Sequence, residues 1–426
     1  MERNDPRYQA YVEILKEELI PAMGCTEPIA LAYAAAKARE VLGVLPDSVQ
    51  LQVSGSIIKN VKSVIVPNTG HLKGMEAAVA AGIIAGSAEK ELEVISEVSE
   101  EKKSAIRDYL QTVPITIEHT EQGHVFDIVV TERCGQDYAR VRIADYHTNI
   151  CRIEKNGTVL YEVPLLDETV QENARADRSL LNMQDIWDFA ETADLQDVAD
   201  LLERQIRYNN AIAEEGLLGD YGANIGRVLL TTYGNDVSNR AKAKAAAGSD
   251  ARMNGCELPV IINSGSGNQG ITCSVPLIEY AKELHSGKEK LYRALIISNL
   301  VAIHEKTGIG TLSAYCGAVS AGAGAGAGIV YLCGDGYQAA IHTVVNALAI
   351  VSGIVCDGAK ASCAAKIASS VDAALLGYNM YKCNQEFKGG DGIVMKDIET
   401  TIKGIGRLGK DGMRQTNEEI IRLMMS

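Results

Sequence analysis

The sequence predicts an α+β protein in which a largely helical part, formed from both chain ends, carries an inserted α+β segment. Three observations support this. The chain has 426 residues, enough to bury a large core in two or more domains or in one domain with a large insertion. Strand-like runs separated by turn residues crowd into the stretch after Asp47. Beyond "ADRSLLNMQDIWDFAE" almost everything reads as alanine-rich helix. The expected division is 1–42 and 176–426 for the helical part and 43–175 for the insert.

In chain order, residues near 7 to 42 read as two helices broken at Pro21 to Cys25. The opening "MERNDPRYQAYVEILKEEL" mixes charges with apolar residues at helical spacing, so it reads as an amphipathic helix rather than a secretory leader. In "PAMGCTEPIAL", Thr26 suits an N-cap, and Glu27 and Pro28 suit the first turn. A thiol beside that helix start, Cys25, would have its pKa lowered by unpaired N–H groups, unless it is simply a small buried hydrophobe. The strand-like runs are "VQLQVSG", "VKSVIVPNTG", "VPITIEHT", "HVFDIVVTE", "YARVRIAD" and "NICRIEKNG", interrupted by the helix-like "GMEAAVAAGIIAG".

Two uncharged runs, Gly308 to Gly334 and Tyr337 to Cys356, are long enough to span a bilayer. The first is built largely of Gly, Ala and Ser, and the second carries Gln338, His342 and Asn346, so buried central helices fit better. Gly322, Gly324, Gly326 and Gly328 then read as sites of close helix packing.

The net charge of −14 argues against nucleic acid or an anionic membrane as main partner and favours a small-molecule substrate. Ten cysteines without a leader or a CxxC pair point to a reducing cytoplasm, with thiols kept for burial, metal or catalysis.

The most informative stretch is "INSGSGNQGITCSVP", from Ile262 to Pro276, read as a glycine-rich loop with Pro276 opening the next helix. Its N–H groups at Gly265 and Gly267, with Ser264, Ser266, Asn268 and Gln269, suit a carboxylate or phosphate. It lacks Gly-Lys-Ser/Thr and so is no Walker A loop, and it does not read as a GxGxxG fingerprint in a strand–helix setting, so the Rossmann reading fails. Cys25, Cys273 and Cys316 each sit among glycine or small polar residues, and three such thiolates could hold an iron–sulfur cluster with one iron left free. Cys256, Cys356 and Cys363 are weaker candidates, whereas Cys134, Cys151, Cys333 and Cys383 read as packing residues. As general base, Lys59, His71, Lys73, His304 and Lys306 come into question. His304, a histidine shortly before the Cys316 segment, suits the role of base if exposed, and Lys59 at an expected strand end could equally pair with a carboxylate.

The segments "MGCTEP", "SGSIIKN", "VPNTG", "GSGNQGITCSVP" and "LSAYCGAVSAGAGAGAG" resemble the bacterial and archaeal L-cysteine desulfidases (UPF0597-like), relatives of the α-chain of iron–sulfur L-serine dehydratases. The resemblance runs over nearly the whole chain. It implies a 4Fe–4S cluster held by cysteines that match Cys25, Cys273 and Cys316, and β-elimination of L-cysteine to pyruvate, ammonia and hydrogen sulfide. The serine dehydratases have a further cysteine after the one matching Cys316, where this chain has Gly and Ala. That departure favours Cys25 as third ligand and counts against serine dehydration.

On this reading Lys59, His304 and Glu27 are the catalytic candidates, and Ser264 to Gln269 with Asn68 of "VPNTG" bind the substrate. The rivals are an L-serine dehydratase-like ammonia-lyase and a non-catalytic, cluster-bearing sensor. A pyridoxal-phosphate lyase is disfavoured because no lysine stands beside a phosphate cup. The expected partners are an amino-acid substrate and, as the one protein partner considered, a second copy in a homodimer.

Overall fold

Helices start where the sequence provides both an apolar stripe and a cap. The computed structural model describes residues 1–120, 124–165, 176–310 and 312–425. The side chain of Asp5 caps α1 (Pro6–Glu18), with Pro6 at its first position. A short strand β1 (Pro21–Met23) and the turn at Gly24 then lead into α2 (Thr26–Leu42). Gly24 has φ +54°, and a Cβ there would stand 2.8 Å from the Pro67 ring, so this turn needs glycine twice over. The break expected at Pro21 to Cys25 is present, with Cys25 rather than Thr26 as the N-cap residue.

The insert is a six-stranded sheet in the order β3-β2-β4-β5-β6-β7. Its strands are β2 (Ser48–Ser54), β3 (Ile115–Thr120), β4 (Asp127–Cys134), β5 (Asp137–Ala144), β6 (Ile150–Lys155) and β7 (Thr158–Glu162). Only β2 and β3 run parallel, joined through α3 (Gly55–Val61), α4 (Gly74–Ala85) and α5 (Glu100–Thr112). Two expectations fail here. "GSIIKNV" is the helix α3 rather than a strand end, which puts Lys59 on a helix, and "VKSVIVPNTG" contributes only an isolated bridge, Ile65 to Lys73. The edge strand β7 was not anticipated.

Both faces of α2 are covered, one by β4 and β5 and the other by α4. Gly82 on α4 makes the second contact possible, since a Cβ there would lie 2.1 Å from the Ala32 carbonyl oxygen. Although expected with the helical part, α2 thus packs on the sheet. We keep the division 1–42 and 176–426 against 43–175 as a proposal with α2 as the bridging element; its limit at residue 175 lies outside the described residues.

The helical part comprises α6 (Met183–Thr192), α7 (Ala199–Leu218), α8 (Ile225–Tyr233), α9 (Val237–Met253), α10 (Gly267–Glu283), α11 (Lys288–Ile309), α12 (Gly317–Cys333), α13 (Tyr337–Val351), α14 (Ser362–Lys382), α15 (Ile398–Arg407) and α16 (Arg414–Met425). A short strand β8 (Pro259–Ile261) pairs antiparallel with β1. Among the described residues no helix is long and apolar enough to cross a membrane.

The Gly/Ala run forms the central helix α12, touched by α10, α11, α13 and α14. Its glycines face different neighbours: a Cβ at Gly324 would lie 2.4 Å from the Ser298 oxygen of α11, and one at Gly328 would lie 2.5 Å from Leu277 of α10. The stretch 262–276 departs from expectation, because α10 begins at Gly267 and Pro276 lies inside it. Its glycines serve contact rather than looseness: a Cβ at Gly270 would stand 1.9 Å from the Ile261 carbonyl oxygen.

Gly324→Ala should therefore destabilise the protein by about 1–3 kcal/mol despite the better helix propensity of alanine. Gly353→Ala, where a Cβ would meet nothing within 4 Å, should stay within about 0.5 kcal/mol of wild type in urea unfolding.

Candidate functional site

The ribbon of β1 and β8 brings two distant turns to one point. Asn209 of α7 locks β8 in place, accepting from the Ile261 N–H at 2.8 Å and donating to its carbonyl oxygen at 3.1 Å. Beyond β1 comes Cys25; beyond β8 comes the turn Asn263–Ser266, in which Ser264 holds φ +48° and Gly265 φ +76°. The Thr26 hydroxyl donates to the Gly265 carbonyl at 3.0 Å and ties the two together.

A second pairing brings in the other thiols. The segment before α12 lies along the one after α13: the Cys316 N–H donates to Ile354 O at 3.1 Å and the Cys356 N–H to Ala314 O at 2.6 Å. Cys316 and Cys356 are thereby placed side by side. The loop then turns at Gly358, with φ +93° and room for no Cβ against the Lys59 carbonyl, and reaches Cys363 in the first turn of α14.

These turns enclose a cavity of about 110 Å³ lined by Cys25, Cys316, Cys356 and Cys363, with Glu27, Asn60, His147, Arg252, Ser264 to Ser266, Asn268, Gln269 and Lys306. Its size is that of a few water molecules, enough for a small metabolite and too little for a nucleotide. A much larger cleft of about 2200 Å³ opens beside it, and His147, Ser264, Gly265 and Lys306 border both. Among the described residues the cleft is bordered by one cysteine, Cys151 of the sheet, and the smaller space by four.

Burial governs the charges. It pushes Cys316 up to about 12, with Cys356 adding to the effect and the Ala318 N–H opposing it. Burial likewise raises Cys363, against the Lys360 backbone. Cys25 is raised too, first by burial and then by the Glu27 carboxylate, whose Oε2 accepts its S–H at 3.0 Å. The lowering expected at a helix start is thus reversed. Burial works against an ionised Glu27 as well, yet His147 and Cys25 outweigh it and hold the acid at about 2. At 4.0 Å His147 Nε2 is beyond hydrogen-bond distance of Glu27, and Asn60 donates to Glu27 at 3.0 Å. Lys306, at the end of α11, is pushed down to about 8 by burial, against the pull of Cys356 and Cys316.

Of the residues singled out from the sequence, Cys25, Glu27, Ser264, Gly265, Ser266, Asn268, Gln269 and Cys316 border this cavity. Gly267 lies just behind it, under the Arg252 guanidinium. Cys273 does not reach it. It sits on the far side of α10, fully buried between Ala302 and Ala321, because the helix starts early enough to turn it into the core. Asn68 is also elsewhere, donating to Ile95 O at 2.8 Å and fixing that loop. His304 is engaged 2.8 Å from Glu399, whose other oxygen accepts the Met183 N–H, so it joins α11 to α15. Lys59 lies behind the wall, its ammonium held by Asn417 Oδ1 at 2.6 Å and by the Cys356 and Ser313 carbonyls.

Cys356 and Cys363, weaker candidates in the sequence, border the cavity too, as do Lys306, considered there as a base, and Arg252, His147 and Asn60, which the sequence did not single out. The pattern "CDGAKASC", two cysteines around a turn at a helix start, was the available signal for the first two. Among the described residues no three His, Cys, Asp or Glu side chains are set to hold a single metal ion. A multi-iron cluster spreads its ligands more widely and is held by cysteine thiolates, and four cysteines border this cavity.

Residues 89–422 match the family model described as serine dehydratase alpha chain. A UPF0597 protein of Desulfitobacterium hafniense is 61% identical over 100% of this chain and 99% of its own length. UPF0597 proteins of Lachnoclostridium phytofermentans and Treponema denticola are 52% and 46% identical, over 98% and 100% of this chain and 100% of each relative.

The placement of Cys273 is checked by alkylation. In folded, metal-free protein iodoacetamide should modify the exposed Cys333 and Cys383 first and leave Cys273 untouched until denaturant is added. Early labelling of Cys273 by mass spectrometry would contradict its enclosure.

Proposed function

The chain belongs to the UPF0597 family and shares most of its length with the serine dehydratase alpha chain; from that premise we propose that it is an iron–sulfur-dependent lyase that eliminates the β-substituent of a small L-amino acid, L-cysteine in particular. The observation that carries this reading is the meeting of Cys316, Cys356 and Cys363 with Cys25 in one small cavity. Cys316, Cys356 and Cys363 are assigned to a 4Fe–4S cluster, because Cys316 and Cys363 each feel Cys356 as a close neighbour. The neighbours of Cys25 are instead Glu27 and Arg252, which sets it apart from the other three thiols. When bound, the cluster supplies a Lewis-acidic iron that takes the leaving sulfur. Protons on the buried thiols are released when metal binds, which is how neutral cysteines become ligands.

The remaining chemistry belongs to side chains. A β-elimination needs a base at the α-carbon and a proton source at the leaving atom. On this reading Cys25, which stands apart from the cluster thiols, is the base in its thiolate form, its proton having gone to solvent; the ionised Glu27 orients the S–H and is too weak a base to keep that proton. Lys306 borders the same space close to Cys316 and Cys356 and holds a proton at Nζ for the departing group, with a pKa of about 8. The aminoacrylate left behind hydrolyses to pyruvate and ammonia. Soft sulfur suits an iron site better than a hydroxyl, which needs more acid assistance to leave. All ten cysteines are free thiols, in keeping with a reducing cytoplasm. A second copy of the chain, in a homodimer, is the protein partner of this reading.

The matched family description favours L-serine as the second reading. Under strict anaerobiosis, kcat/KM for L-cysteine should exceed that for L-serine by about tenfold or more, roughly 1.4 kcal/mol in transition-state binding. Equal or better turnover of L-serine would overturn the desulfidase assignment.

The ligand assignment has its own check. Cys316→Ala, Cys356→Ala and Cys363→Ala should each lose the visible absorbance of the reconstituted cluster. Cys273→Ala should keep it, and Cys25→Ala should keep it while losing activity. A cluster lost with Cys25 and retained without Cys363 would reverse the roles.

A further inference from the structure

Four buried polar atoms bordering the cavity have no hydrogen-bond partner among the described residues, His147 Nε2, Arg252 Nε, Asn268 Oδ1 and Gln269 Oε1, and the last three are of two opposite kinds. Arg252, in the last turn of α9, is 2% exposed, and among the described residues its guanidinium has neither an ion-pair nor a hydrogen-bond partner. Its Nε is an orphaned buried donor. A buried cation is ordinarily paired, and an unpaired one calls for an anion from outside. The guanidinium lies directly on the first turn of α10: a Cβ at Gly267 would stand 2.3 Å from Nε, so glycine is what admits it. The positive end of that helix adds to the same charge.

The second kind is an acceptor. Gln269, 5% exposed, has its Oε1 buried and unsatisfied, as is Asn268 Oδ1. Gln269 Nε2 donates to Ser264 O at 3.4 Å, which turns its oxygen the other way, whereas the Asn268 amide has no side-chain partner among the described residues and can turn either its oxygen or its N–H to a ligand. A simple anion such as phosphate would satisfy Arg252 and leave the Gln269 oxygen unmet. A ligand with one carboxylate and one ammonium satisfies both sets.

We propose that Arg252, with the side-chain oxygens of Gln269 and Asn268, forms a receptor for a zwitterionic α-amino acid, the guanidinium taking the carboxylate and the two amide oxygens the ammonium. The glycine-rich turn from Ser264 to Ser266 then shapes the site rather than serving as the main carboxylate cradle. The proposal rests on the lyase reading only for what the third substituent of the ligand does; the two charged ends are read from the orphaned atoms alone.

Calorimetry on the anaerobically prepared full chain tests it, with L-cysteine, L-alanine, 3-mercaptopropionate (no ammonium) and cysteamine (no carboxylate) as probes. Wild type should bind each truncated analogue about tenfold more weakly than L-cysteine. Arg252→Gln should weaken L-cysteine, L-alanine and 3-mercaptopropionate by about tenfold or more and leave cysteamine unchanged, with Arg252→Lys in between. Gln269→Met should weaken cysteamine and L-alanine and spare 3-mercaptopropionate.

L-alanine has no leaving group, so its dependence on Arg252 separates this receptor from the lyase chemistry. Absence of turnover with that dependence intact would sink the lyase reading and uphold the receptor. Conversely, if Arg252→Gln loses the cluster absorbance while carboxylate discrimination persists, Arg252 balances the charge of the cluster and the proposal fails. Should the Arg252 variants not fold, equal wild-type affinity for cysteamine and L-cysteine overturns it on its own.

Discussion

Four helix starts meet at one small cavity, and the rest of the architecture serves that meeting. Cys25 precedes α2, Ser266 precedes α10, Cys316 precedes α12, and Cys363 lies in the first turn of α14; none of these starts is capped by a side chain. Each contributes a partial positive charge of about half a unit, and Arg252 adds a full one. Glu27 offsets part of this, held ionised with Asn60 and His147 around it. Converging uncapped helix ends with a buried cation are unfavourable in the absence of negative charge, and on the lyase reading metal-bound thiolates and a substrate carboxylate would supply it.

Convergence of this kind is limited by side-chain bulk, because helix axes cannot approach a common point while ordinary side chains stand between them. Glycine removes the obstruction at each contact. Gly317, at the start of α12, admits the Gln269 side chain, against which a Cβ would stand 2.6 Å away. Gly270 lets α10 lie on β8, and Gly324 lets α12 lie on α11. Each glycine weakens its own helix by roughly 1 kcal/mol relative to alanine. The packing around the site has to return that cost, which explains a composition that looks like low complexity and forms a helix buried from Ala318 to Val330.

The helical periodicity and the strand alternation were legible in the sequence, and they yielded the α+β class, the break before Cys25 and most of the sheet. The start of α10 was not legible, because glycines and Pro276 carry the same letters in a loop and in a helix packed against a backbone. That one misreading turned Cys273 toward the cavity when it belongs to the core. Cys356 and Cys363 depended on a backbone pairing between residues 314–316 and 354–356, a long-range contact with no local pattern. Arg252 was hidden for a related reason: in an alanine-rich helix an arginine reads as a solvated face, and only its burial reveals the missing partner.

The site is also assembled from two kinds of packing. α2 carries Cys25 and Glu27 at its start and lies along its length on β4, β5 and α4, so their position is set by the sheet. His147 comes from the connection between β5 and β6 and belongs to the same side, its ring edge-on to Phe126 at 4.7 Å. Cys316, Cys356 and Cys363 are instead positioned by α12, α14 and the segment paired between them. On the lyase reading this separates two tasks that conflict if shared by one set of thiols. A sulfur that holds iron must stay deprotonated, whereas a sulfur that moves a proton must gain and lose one in each cycle. Keeping the Glu27-bonded thiol on the sheet side and the cluster thiols on the helical side lets each group be tuned by neighbours of its own.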